Sequence, residues 1–196
     1  MNYLDLYKGL VPVNSHADIT MRGVTIGVAG GVEVPSGGNL VADGATEGNE
    51  YQGAWVSNWI AMPFTPSVSG TLASAILRLS RDAGALTSTE TLCLYSNTSD
   101  APGIQIGTCS GTINTNDVPT SEGDVSFTGM SAAFVSSIQY WLVLTRSAAE
   151  GAQVRWNGLT SPTLTNISSV GASKISTDGT TWGVNTTYRL KFNATY

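Results

Sequence analysis

Charge is scarce in this chain: only 12% of its 196 residues are Asp, Glu, Lys or Arg, about half the share of an ordinary soluble domain. Lys and Arg number 9 against 14 Asp and Glu, for a formal net charge of -5 and no basic cluster. A surface that neutralises phosphates is thereby excluded, and no nucleic-acid partner is expected. No run approaches the roughly 18 apolar residues of a membrane span, so no membrane insertion is expected. Histidine occurs once, as His16 in "NSHAD". A zinc site needs several Cys or His ligands, and a serine nucleophile would need this one imidazole and a carboxylate to orient it. The Gly-rich surroundings of His16 carry no nucleophile-elbow pattern, so His16 reads as an exposed side chain. No cofactor is expected.

Cysteine occurs twice, at Cys93 and Cys109 in "TLCLYSNTSDAPGIQIGTC". The two-cysteine redox motif has its thiols three apart, which is not the spacing here. Buried free thiols and a disulfide both fit. A disulfide closing this loop would contribute about 3 kcal/mol and would form only outside a reducing cytoplasm. The start, "MNYLDLYKGLVPVNSH", lacks a basic segment followed by an unbroken apolar run, so no secretory signal is expected.

What is plentiful is Ser, Thr, Asn and 22 Gly, a mixture that disfavours long helices and suits short strands joined by turns. From Trp55 onward, alternating segments follow at sandwich-like spacing. "WVSNWIAMPF" sets Trp59 and Ala61 against Ile60, Met62 and Phe64; "GTLASAILRLS" sets Ala75, Leu77 and Leu79 against Ser74, Ile76, Arg78 and Ser80. In "TYRLKFNATY", Tyr188, Leu190, Phe192 and Ala194 share a face opposite Arg189, Lys191 and Asn193, the mark of a half-buried strand. Pro102-Gly103 is expected to make the turn between the two cysteine-bearing strands, and Asp178-Gly179 a tight hairpin. The sequence predicts an all-β, antiparallel sandwich or barrel over residues 52–196. Residues 1–51 have too few large apolar groups for a core and read as an extended N-terminal arm for attachment or oligomerisation. Tyr3, Leu4, Leu6, Tyr7, Leu10, Val11 and Val13 are its apolar docking residues.

Tyr95-Ser96, Pro102-Gly103, Tyr140-Trp141-Leu142, Trp156, and Asp178-Gly179 with Trp182 together form a pattern over about residues 55–196. It resembles the jelly-roll domains called choice-of-anchor domains, found on bacterial surface proteins and on phage tail-fibre and other virion proteins. These residues are core and turn positions, so the resemblance implies a fold, an all-β antiparallel jelly-roll-like β-sandwich over residues 52–196, more than an activity. Taken with the expected lack of signal peptide and anchor, it implies a virion surface protein made in the host cytoplasm. The expectation is a non-enzymatic head decoration, head fibre or tail-fibre component, a homo-oligomer with a trimer favoured, bound to capsid or tail proteins. The alternative is an extracellular carbohydrate-binding or adhesin module that contacts a cell-surface glycan. A glycan hydrolase stands third.

For glycan contact, the candidates are Arg155, Trp156 and Asn157 in "RWNG" and Asp178 and Trp182 in "DGTTW": an aromatic can stack on a sugar while polar groups hold its hydroxyls. The same tryptophans serve equally as core. For hydrolysis a pair of carboxylates is needed, but nearly all the acids fall at turn or loop positions. Asp100, Asp117 and Asp124 have the loop oxygens a calcium site uses, although no metal is expected. Sequons at Asn97, Asn166, Asn185 and Asn193 arise readily in a chain this rich in Ser and Thr.

Overall fold

Glycine, β-branched and alternating apolar residues give a chain built of antiparallel strands. The computed structural model describes residues 19–21, 24–26, 37–44, 46–53, 59–148, 153–184 and 189–196. The chain divides into two units, Met1–Val34 and Pro35–Tyr196. In the first, β1 (Ile19–Met21) and β2 (Val24–Ile26) pair as an antiparallel hairpin, Met21 opposite Val24. Tyr3, Leu4, Leu6, Tyr7, Leu10, Val11 and Val13, expected to dock the arm, lie outside the described residues, as does His16.

The second unit is a sandwich of two antiparallel sheets. One contains β3 (Asn39–Asp43), β4 (Thr46–Gly53), β6 (Gly70–Arg81), β10 (Gly123–Phe134), β12 (Val154–Leu159), β13 (Thr163–Thr165), β17 (Arg189–Leu190) and β18 (Phe192–Thr195). The other contains β5 (Trp59–Pro66), β7 (Thr89–Thr98), β8 (Ala101–Ile106), β9 (Ile113–Asn114), β11 (Tyr140–Arg146), β14 (Ile167–Val170), β15 (Lys174–Ser176) and β16 (Gly183–Val184). The chain passes from one sheet to the other between β13 and β14 at Asn166, whose φ is +55°. Asparagine tolerates that left-handed conformation better than most residues.

The expected boundary at residue 52 moves. β3 lies between β13 and β18, and its Leu40 and Ala42 are buried against the core; β4 pairs with β12. These residues looked like arm because they are short and Gly-flanked, but a five-residue strand with two inward apolar side chains needs no core of its own when a sheet receives it.

The core forms where the two inner faces meet. Ala75, Leu77 and Leu79 of β6, with Val125 and Phe127 of β10 and Phe192 and Ala194 of β18, face Ile60, Met62, Phe64, Leu92, Leu94, Leu142 and Leu144 of the other sheet. The rings of Phe64 and Phe192 meet edge to face at 5.6 Å. Each large side chain so buried contributes about 1.5–3 kcal/mol.

The last alternating segment is two strands rather than one. β6 pairs with β12 through Leu79 and with β18 from Leu77 onward, and the break falls at Lys191. There the Trp156 indole N–H donates to the Lys191 carbonyl at 2.7 Å, and the Lys191 N–H donates to the Asn157 carbonyl at 2.9 Å. The alternation survives the break: Leu190, Phe192 and Ala194 are buried and Arg189 is exposed.

Two turns differ from expectation. The β7–β8 turn is made by Ser99 and Asp100, both at positive φ (51° and 60°), with Thr98 opposite Ala101. A two-residue hairpin of matching twist requires that conformation at both central positions. Pro102 and Gly103 therefore sit inside β8, an edge strand where a missing N–H is tolerated. Asp178-Gly179 lies in a loop of six residues between β15 and β16, not in a two-residue turn.

Cys93 and Cys109 form a disulfide, with their Cα atoms 4.4 Å apart. Cys109 is not on a strand with Cys93's neighbour, as expected, but beyond the end of β8. Gly107 (φ +63°) turns the chain where any Cβ would strike the Ser131 carbonyl; the Ser110 N–H then donates to the Leu92 carbonyl at 2.8 Å, and the Leu92 N–H donates to Ser110 Oγ at 2.9 Å.

Face assignment in the last segment is directly testable by equilibrium unfolding in urea. Leu190→Ala or Phe192→Ala should cost about 2–5 kcal/mol, and Arg189→Ala less than about 0.5 kcal/mol. Equal costs at these neighbours would contradict the register.

Candidate functional site: the outer face of the second sheet

In a two-layer sandwich the outer face of an antiparallel sheet normally meets water. Over β5 and β11 of the second sheet it does not. Ala61 of β5 and Trp141 and Val143 of β11 point away from the core yet are wholly buried. Trp59, Tyr95 and Trp182, each half-buried, cover them. Trp59 meets Tyr95 and Trp182 edge to face, both at 6.4 Å. Gly179, at φ +72°, lets the β15–β16 loop settle on the Trp59 ring, which a Cβ there would strike at 2.9 Å. Burial pushes the Tyr95 hydroxyl pKa up.

Along one side of this apolar cover runs a polar cluster. The buried Trp141 indole needs an acceptor and donates to Asn97 Oδ1 at 2.9 Å. Gln139 Nε2 lies 3.4 Å from both Asn97 Oδ1 and Asp100 Oδ1. Lys174 Nζ donates to the Asp100 carbonyl and lies 3.2 Å from Asp100 Oδ2. It also sits 5.4 Å above the Trp141 ring centre, a favourable cation–π position. Asp100, Gln139 and Lys174 open onto a cleft of about 160 Å³ whose lining also includes Pro63, Thr65 and Val170.

The glycan candidates drawn from the sequence do not converge here. Arg155, Trp156 and Asn157 belong to β12 in the first sheet, Asp178 and Trp182 to the β15–β16 loop of the second. Trp156 is fully buried in the core, so it has no face to offer a sugar; of its two readings, packing is the one realised. Asn157 is buried as well. Arg155 pairs with Asp82 at 2.5 Å and reaches Gln153 at 3.1 Å. Trp182 keeps a half-exposed ring over the outer cluster.

Asp178 holds its own loop. Its carboxylate accepts from the N–H groups of Thr181 (2.7 Å) and Thr180 (2.8 Å) and from the Ser176 hydroxyl (3.0 Å). Among the acids weighed for hydrolysis or calcium, Asp100 faces Lys174, Asp124 pairs with Arg78 at 3.2 Å, Asp43 with Lys191 at 2.5 Å, and Glu90 with Arg146 at 2.8 Å in a buried ladder pair. Among the described residues no three His, Cys, Asp or Glu side chains come together as a metal site.

Asn97, Gln139 and Lys174 were not singled out for ligand contact from the sequence. Asn97 showed only as a sequon and Asp100 only as a loop acid. Lys174 and Asp100 are separated by 74 positions and meet only because β15, β5, β11, β7 and β8 lie in that order across one sheet.

The Asp178 contacts have a pH signature. The backbone N–H of Thr181, then that of Thr180 and the Ser176 hydroxyl, hold its carboxyl far below its ordinary value of 3.8. A carboxyl depressed in the folded state stabilises the fold above its unfolded value, and that contribution is lost as pH falls towards the folded value. The thermal midpoint should therefore drop below about pH 4, and Asp178→Ala should flatten part of that drop. An unchanged acid limb in the variant would contradict the role given to Asp178.

The chain matches no protein-family model and no curated protein, so its function is argued from this geometry.

Proposed function

We propose that the chain is a non-enzymatic surface structural protein of a phage virion, a head decoration, head fibre or tail-fibre component. Its sandwich is displayed and its N-terminal unit attaches it to capsid or tail proteins and to sister subunits, with a trimer favoured. The observation that carries this reading is the division into Met1–Val34 and Pro35–Tyr196. A unit of that size lies below the roughly 40 residues at which a chain can hold a core unaided. Its apolar positions Tyr3, Leu4, Leu6, Tyr7, Leu10, Val11 and Val13 gain about 1.5–3 kcal/mol each by finding a partner surface.

A non-catalytic role is supported by the use of the acids: Asp43, Asp82, Glu90, Asp100 and Asp124 are each paired with Lys or Arg. The second reading, a carbohydrate-binding or adhesin module, draws on the polar cleft beside Trp141.

Size-exclusion chromatography with light scattering tests the proposal. The full chain should run as a trimer or larger assembly, and a chain beginning at Pro35 as a monomer with an unchanged far-UV spectrum. A monomeric full chain, or a shortened chain that still assembles, would overturn it.

A further inference from the structure

We infer that the cleft between the β7–β8 turn and the loop from Val170 to Lys174 is a binding site for one ring of a neutral saccharide. The inference rests on the second reading above, a carbohydrate-binding module, and is independent of the proposed assembly, since it concerns only the sandwich.

The argument begins with charge. Lys174 and Asp100 face the cleft side by side, 3.2 Å apart, so the site carries one charge of each sign and no net charge. An anionic ligand would meet the Asp100 carboxylate, and a cationic one would meet the Lys174 ammonium. Neither sign is favoured. A hydroxyl, which both donates and accepts, can satisfy both groups at once.

The neighbouring amide extends the same logic. Gln139 reaches Asp100 Oδ1 and Asn97 Oδ1 only at 3.4 Å each, longer than a well-formed N–H···O bond. Its amide offers a donor and an acceptor within reach of the charged pair. Adjacent hydroxyls on a sugar ring present such alternating donors and acceptors along one edge.

Part of the lining is apolar: Pro63 and Val170 give a surface for the C–H face of a ring. Gly171 keeps the loop low: a Cβ there would lie 3.0 Å from Pro63 Cγ. The volume of about 160 Å³ falls below the roughly 300 Å³ at which drug-sized sites begin, which suits one ring and not a buried oligosaccharide. The groups are fixed before a ligand arrives. Lys174 is held over the Trp141 ring, Asp100 by the two-residue turn, and Trp141 by Asn97.

The test uses the full chain, uniformly 15N-labelled, titrated with the methyl glycosides of glucose, galactose, mannose and N-acetylglucosamine. At least one should give saturable amide shifts centred on Asp100, Gln139, Gly171 and Lys174. Gln139→Ala and Lys174→Met should each weaken that binding about tenfold, the loss of one good hydrogen bond to a charged or polar partner. Arg155→Ala, in the other sheet, should leave it unchanged. Spectra of the free variants establish that they are folded, and Gln139, half-exposed and distant from the core, keeps the test decisive if Lys174→Met is not. No saturable shift with any of the four glycosides up to about 50 mM, shifts confined to other surfaces, or tighter binding of methyl glucuronide than of its neutral counterpart would overturn the inference.

Discussion

The rest of the sandwich is arranged around two neighbouring strands, β5 and β11, that are buried on both faces. In a half-buried strand, register is enforced because a slip of one residue turns the apolar face to water. Here both faces are apolar, so polarity alone cannot fix the pairing. Size does. Ile60, Met62, Phe64, Leu142 and Leu144 fill the space between the sheets, while Ala61 and Val143 lie opposite each other on the outside beneath the aromatic cover. A slip would push Phe64 or Met62 into the space under Trp59 and leave alanine-sized gaps in the core. Overpacking and cavities each cost a few kcal/mol.

This outer cover also makes the surface that could bind something. Trp59, Tyr95 and Trp182 shield the strand pair, and the disulfide sits beside them because Cys93 lies directly across the ladder from Val143. Trp141 is the hinge of the arrangement. Its ring is buried, so its N–H must be answered within the protein, and Asn97 answers it. Lys174 packs over the same ring and turns to Asp100. The polar cleft is thus a consequence of sealing an apolar sheet face at its edge.

The sequence was legible where one residue's neighbours in the strand decide its fate. Alternation in "GTLASAILRLS" set Ala75, Leu77 and Leu79 on the face opposite Ile76, and they are the buried set; the same reasoning sorted Leu190 and Phe192 from Arg189. It was illegible where partners are distant. Trp156 looked available for a sugar because the partners that hold it, Leu79 across the ladder and the Lys191 carbonyl, come from elsewhere in the chain. Pro102-Gly103 looked like a turn, yet the turn fell at Ser99-Asp100, where Asp accepts positive φ and the flanking register of Tyr95 and Leu94 is satisfied. β3 looked like arm because its support comes from β18 at the far end of the chain. The candidate site was hidden for the same reason: Asn97, Asp100, Gln139 and Lys174 form no common motif and meet only through the strand order of one sheet.

The claim that β5 and β11 are sealed on both faces is tested most directly by native-state amide hydrogen exchange. The hydrogen-bonded amides of Ala61, Met62, Phe64 and Leu142–Leu144 should be among the slowest in the chain, exchanging only when the whole sandwich unfolds, while those of the edge strand β8 exchange by local opening. Exchange at β5 and β11 as fast as at β8 would contradict it, because strands covered by protein on both sides have no local route to water.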